Sequence, residues 1–179
     1  EGKLQLDDKI SDYLQGDIIE KIENADRATI RQLLQHSSGI FNYIQDLQFQ
    51  TASLNELIRE WHPNDLIKYA YNKGAYFKPG EDVRYSNTGY ILLGLLIEKI
   101  EGKPFYEVFE EIPRQGPGDD ESTKRAFDKI TGVKENPSVL DIGCGTGMQT
   151  LLLSRLTDGK ITAIDNHKPF IDMLKKKIA

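Results

Sequence analysis

Ser138 to Met148 reads S-V-L-D-I-G-C-G-T-G-M, and its reading decides the fold of the surrounding chain. A short apolar run, Val139 to Ile142, breaks into three glycines on alternate positions, Gly143, Gly145 and Gly147. Helical apolar spacing follows from Met148 to Leu156. Strand, glycine turn and helix in that order bring bare backbone up to a nucleotide-like ligand. Glycine suits such a turn because it adopts positive φ and presents no side chain to the ligand.

Working outward, Asp158-Gly159 marks a turn, Ile161 to Ile164 a second strand, and Pro169 to Ile178 a helix. Upstream, Ser122 to Thr131 is expected to be a helix with Ala126, Phe127 and Ile130 inward, stopped by Gly132. Together these form one βαβα unit of a parallel sheet, with a right-handed crossover. Asp165, 18 residues beyond Gly147, ends the second strand, where a carboxylate can accept hydrogen bonds from both hydroxyls of a ribose. Asp141 precedes the turn and is expected near the ligand or the loop amides. The N-terminus of the first helix aims unpaired N–H groups at the same crevice.

Pro113 to Asp120, with two prolines and two glycines, reads as a linker, and the character of the chain changes there. Residues 1–112 show no strand alternation. A short helix is expected over Asp8 to Leu14. Another is expected over Ala28 to Ser37, with Thr29 and Gln32 as a capping box and Gly39 as the closing residue. Phe41 to Gln50 reads as loop, Ser53 to Trp61 as helix, and Pro63 as the first residue of a further helix. The strongest helical pattern runs from Thr88 to Ile100 and is closed by Gly102. Close packing is expected to compensate Gly89 and Gly94 within it. Pro104 opens a last helix ending near Ile112.

The 179 residues are 39% hydrophobic and 28% charged, ordinary for a globular chain of one or two domains. No apolar run reaches the roughly 20 residues that cross a bilayer, so no membrane span is expected. Residue 1 is Glu and no signal-like segment precedes it, so the chain is expected to begin inside a longer or processed protein. The single cysteine, Cys144, excludes an internal disulfide and reads as a small filler of the glycine turn. Three scattered histidines give no metal-ligand spacing. Residues 1–112 carry 12 basic and 19 acidic side chains, a net of −7, and residues 113–179 a net of +2. Neither half has the basic face of a nucleic-acid binder. Lys175 to Lys177 complement a helix C-terminus.

V-L-D-I-G-C-G-T-G and I-T-A-I-D resemble the class I S-adenosylmethionine-dependent methyltransferases. That resemblance implies adenosylmethionine as cofactor, with Gly143, Gly145 and Gly147 admitting it, Asp141 nearby and Asp165 on its ribose. Arg114-Gln115-Gly116-Pro117-Gly118 is similar to a segment lying near the cofactor in a bacterial small-molecule subgroup. The sequence carries two of that fold's strands, so half a cofactor site and no methyl transfer by an isolated monomer are expected.

The first half resembles a different family. G-K-L-Q-L-D-D, L-L-Q-H-S-S-G-I, F-K-P-G and Y-S-N-T-G-Y-I-L-L-G are similar to the serine β-lactamases and penicillin-binding proteins, in their class C and esterase-like branch. The resemblance implies that Tyr85 helps to activate a serine and that Asn87 contacts substrate. That chemistry needs S-x-x-K and a facing K-[ST]-G or H-x-G, and none of these occurs in the sequence. Tyr85 and Asn87 therefore read as vestigial catalytic positions, with Asn87 favoured as the cap of the helix beginning at Thr88. His36, Ser37 and Ser38 read as a helix end and turn.

The expected fold class is α+β: a helical segment, residues 1–112, then a truncated Rossmann-like βαβα unit, residues 113–179. The first functional expectation is a fused or truncated chain with an adenosylmethionine half-site. The alternatives are a serine-hydrolase fragment without its nucleophile and a methyltransferase completed by strand exchange in an oligomer. Expected partners are a small-molecule ligand and a homo-oligomer covering the open sheet edge. The two resemblances imply different compartments, cytoplasmic for the methyltransferase part and extracytoplasmic for the hydrolase part.

Overall fold

A computed structural model describes residues 2–132 and 134–179. The chain packs as two compact units, Glu1–Phe105 and Tyr106–Ala179. Among the described residues the fold is α+β, with the only sheet in the second unit.

The first unit is built on helices α1 (Asp17–Lys21), α2 (Ile30–Leu34), α3 (Leu47–Asn55), α4 (Pro63–Leu66) and α5 (Asn87–Glu101). Its core is Ile10, Ile22, Ile30, Leu33, Ile40, Ile67, Leu92 and Leu96, with Leu92 and Leu96 carried by α5. Thr29 and Gln32 form the expected capping box on α2, each side chain accepting the other's backbone N–H. The helix ends sooner than expected, because His36 takes the left-handed conformation at φ 57° just beyond the Gln35 cap. Gly102, left-handed at φ 68°, closes α5 as its sequence predicts.

Other expectations shift. Asp8 to Leu14 holds only a 3-10 turn, Ile10–Asp12, because an antiparallel bridge to Thr29 keeps Lys9 extended. The 41–50 loop contains the start of α3, capped by Asp46, and that helix stops at Asn55 rather than at Trp61. Gly89 packs against Leu33 as expected, whereas nothing lies within 4 Å of where a Cβ on Gly94 would sit.

Asp46 is only 5% exposed and accepts from the backbone N–H groups of Gln48 and Phe49 at 2.9 and 3.0 Å. Its other oxygen meets Lys73 Nζ at 2.6 Å. Burial pushes its pKa up, but the Lys73 contact and the two amides outweigh burial and hold it below the ordinary 3.8. A folded-state pKa below the unfolded one stabilises fully above the unfolded value and is lost as pH falls through the folded value. Asp46→Ala is therefore expected to cost about 1–3 kcal/mol at pH 7. The gap to the parent should narrow below pH 4. Trp61, the single tryptophan, reports this directly, since its ring lies 5.5 Å from Phe49 of α3.

Helix α6 (Phe105–Glu111) begins at the last residue of the first unit and otherwise belongs to the second. The second unit continues through α7 (Asp120–Asp128), β1 (Ser138–Ile142), α8 (Met148–Leu156), β2 (Lys160–Ile164) and α9 (Lys168–Ile178). β1 and β2 pair in parallel, Ser138 opposite Lys160 through Ile142 opposite Ile164. The strand pair and the helices that follow each strand match the expected βαβα order. α7 is capped by Asp119 and ends at Asp128, so Ile130 lies beyond it and is exposed, against expectation. Alternation along the strands leaves Leu140, Ile142 and Ile164 on an uncovered face, 57, 73 and 47% exposed. No helix among the described residues is long and apolar enough to cross a membrane.

Candidate functional site

In the first unit, Tyr85 and Asn87 stand at the entrance to α5. The Tyr85 ring is 61% exposed and lies against His36, with centroids 4.3 Å apart. His36 also stacks on Tyr90 at 5.2 Å. Its backbone carbonyl accepts from Arg84 N–H at 2.9 Å, and its Nδ1 accepts from Ser86 N–H at 3.4 Å. The Tyr85 hydroxyl is 3.5 Å from Asn87 Oδ1.

Asn87 is not the cap of α5 but its first residue, and Ser86, at the cap position, makes no side-chain capping bond. The buried Asn42 does this work from outside the helix. Its Oδ1 accepts from Asn87 N–H at 3.1 Å and from Asn87 Nδ2 at 3.3 Å. One residue on, Tyr43 N–H donates to Thr88 Oγ1 at 3.0 Å. Residues 42–43 thereby fix both the backbone and the amide of the Y-x-N corner. Burial, with the Tyr85 phenol beside it, pushes the Tyr43 phenol up. Asn42 carried no signal in the sequence, because a cap supplied from 45 residues away has no local pattern.

Beside this corner runs an apolar groove of about 460 Å³, lined by residues including Leu34, Tyr43, Asn87, Tyr90, Gly94 and Ile97. Ser37 and Ser38 lie in the turn after α2, where Ser37 O accepts from Gly80 N–H and buried Ser38 Oγ accepts from Ile40 N–H.

In the second unit, Gly143 and Cys144 N–H both donate to Ile164 O, at 2.8 and 3.1 Å, and extend the strand pairing into the glycine turn. Asp165 closes the turn from the other strand. Its Oδ2 accepts from Gly145 N–H at 2.9 Å and its Oδ1 from His167 N–H at 2.8 Å. Each carboxylate oxygen keeps a further lone pair for a ligand hydroxyl. Asp141 accepts from Thr150 Oγ1 at 2.6 Å, so it braces the first turn of α8 and binds no loop amide. Cys144 is buried, and burial first, then the Asp141 and Asp165 charges, push its thiol up, which suits a filler and not a nucleophile.

The three glycines divide by role. A Cβ on Gly147 would fall 2.2 Å from Leu174 Cδ1, and one on Gly145 would fall 2.8 Å from Gln115 Oε1. Only Gly143 meets nothing within 4 Å. It lines a crevice of about 430 Å³ with Ile142, Ile164, Asp165 and Asn166. The open backbone at Gly143 and the anchored carboxylate of Asp165 fit the nucleoside end of adenosylmethionine.

The helical layer that carries Tyr85 and Asn87 lies wholly within the part of the chain that matches a known family. The beta-lactamase family profile matches residues 1–112, and the chain belongs to that family. A methyltransferase-domain profile matches residues 139–179. A probable fimbrial assembly protein FimD, serogroup H1, of Dichelobacter nodosus is 36% identical over 111 residues, covering 62% of this chain and 27% of its own length. Penicillin-binding protein 4* of Bacillus subtilis (strain 168) is 33% identical over 106 residues, 58% of this chain and 21% of its own. Among solved structures, a D-stereospecific amidohydrolase from Streptomyces sp. superposes with a TM-score of 0.57 at 34% identity, over 61% of this chain and 34% of that one. The chain thus spans roughly a quarter of the length of these curated relatives.

Proposed function

We propose that residues 1–112 form the tyrosine- and asparagine-bearing side of a serine acyl-transfer site, whose nucleophile is carried on a segment outside these 179 residues. The observation that carries this reading is the braced corner, in which an exposed Tyr85 phenol lies 3.5 Å from the Asn87 amide and Asn87 itself lines an apolar groove. When a serine oxygen bonds to a carbonyl carbon it loses its proton, and a phenol beside it can take and relay that proton. Tyr90, Leu93, Gly94 and Ile97 lie on one face of α5 and line the groove, a surface against which a helix bearing S-x-x-K could pack. The similarity to a penicillin-binding protein and to a D-stereospecific amidohydrolase favours penicillins or amides of D configuration as the substrate class.

The test is reconstitution. The chain alone is expected to give no burst with an activated ester or nitrocefin. Mixed with a polypeptide carrying the family's S-x-x-K helix and facing strand, it should give a burst that Tyr85→Phe slows by about 100-fold or more. An unchanged burst in that variant would remove Tyr85 from the chemistry.

A second reading rests on a separate observation, the Gly143–Asp165 crevice. In it the second unit is an adenosylmethionine half-site that holds the nucleoside end and needs further strands for the rest. The uncovered face of Leu140, Ile142 and Ile164 supports completion by additional chain, a second copy included. Bound adenosylmethionine would supply an electrophilic methyl group. The residues present here would only bind and orient it.

A further inference from the structure

Residues 106–112 lie within the beta-lactamase match, yet they pack with the second unit. From this stretch and the residues just after it, side chains reach both loops of the half-site. Gln115 Oε1 accepts from Thr146 N–H at 3.0 Å. Its Nε2 donates to Ile112 O at 2.7 Å and Phe109 O at 3.3 Å. The amide gets this close because Gly145 has no Cβ. Thr146 is fully buried, so its N–H, out of reach of water, needs a protein acceptor. Its hydroxyl donates to Pro113 O at 2.9 Å, and its carbonyl accepts from Lys177 Nζ at 2.8 Å. At the tip of β2, Glu110 Oε1 meets His167 Nε2 at 2.5 Å, and His167 N–H is one of the two donors that anchor Asp165.

We infer that Gln115 is a positioning residue of the half-site, holding the Gly145–Thr146 turn in the shape that presents Gly143 and Asp165 to a ligand, with Glu110 steadying the second loop through His167. The join between the two segments is then a folded part of the ligand site and not a tether. A pre-set loop spares the ligand the entropy of ordering it. The ligand part of this inference rests on the adenosylmethionine reading; the positioning part does not.

The experiment is amide exchange and adenosylmethionine calorimetry on the whole chain and on Gln115→Met, which keeps the size of the side chain and removes both polar groups. Thr146 N–H is expected to exchange at least tenfold faster in the variant, with Leu151 N–H of α8 unchanged. Gln115→Glu, which keeps an acceptor, should restore Thr146 to within threefold of the parent. Should both variants unfold, the parent alone suffices: a through-hydrogen-bond coupling between Thr146 N and Gln115 Cδ is expected, and its absence with fast Thr146 exchange overturns the inference. Adenosylmethionine should bind Gln115→Met about tenfold more weakly than the parent. Equal affinities overturn the positioning role. No heat from the parent, with the Thr146 result intact, sinks the adenosylmethionine reading and leaves Gln115 as the residue that sets the turn.

Discussion

Gly39→Ala is expected to destabilise the first unit by about 3–5 kcal/mol, among the largest costs a single methyl group can impose. Gly39 sits at φ 70°, where an L side chain is strained. The larger cost is steric: a Cβ there would lie 2.0 Å from Phe77 O and 2.9 Å from its carbonyl carbon, and these are backbone atoms that cannot swing aside. The backbones meet at this point because buried Asn24 draws them together. Its Nδ2 donates to Ser38 O at 2.9 Å and to Phe77 O at 2.8 Å, and Tyr76 N–H donates to Gly39 O at 2.8 Å. Separating them disturbs the turn that carries His36 and, through it, Tyr85. Urea unfolding followed by Trp61 fluorescence should show the midpoint falling by more than about 1 M. Gly94→Ala is the control. Mid-helix and facing open space, it is expected to be neutral or to stabilise by up to about 1 kcal/mol. Equal midpoints for Gly39→Ala and the parent would mean that the close approach at Phe77 does not exist.

The second large effect is on ligand affinity. Asp165→Asn is expected to weaken adenosylmethionine binding by about 2–4 kcal/mol, roughly 30- to 1,000-fold. The carboxylate has two oxygens, each taking one backbone N–H and each with room for a ribose hydroxyl. An amide offers only one acceptor. Its NH₂ would face either Gly145 N–H or His167 N–H, donor against donor, so the loop loosens as the ribose contact is lost. Titration calorimetry of parent and variant measures the effect. Equal affinity in the two would place the ligand elsewhere than on Asp165.

Legibility in the sequence followed the range of the interactions. The Thr29–Gln32 box, the Gly102 stop and the strand–glycine–helix order are set by neighbours in sequence, and the structure has them where the sequence implies. α3 was hidden because its outward residues Leu47 and Leu54 are 76 and 74% exposed, which leaves no buried stripe to read. Its only local signal was the Asp46 cap. Gly39 reads as a helix stop, yet what demands glycine there is Phe77, 38 residues away. The three glycines of the second unit look equivalent in sequence and are not, since Gln115 and Leu174 fill the space at two of them. At the Y-x-N corner Tyr85 and Asn87 stand out by their resemblance, while the brace that holds them, Asn42 and His36, depends on pairing across the fold.

Under the proposed function, Tyr85 and Asn87 serve an acyl-transfer site whose nucleophile another polypeptide carries. Intact-mass and peptide mass spectrometry after exposure to a β-lactam tests it most directly, on the chain alone and mixed with a polypeptide bearing S-x-x-K. The chain alone should remain unmodified, and in the mixture the acyl adduct should map to the serine of the added polypeptide. An adduct on any serine of these 179 residues, Ser37, Ser38 or Ser86 included, would contradict the account.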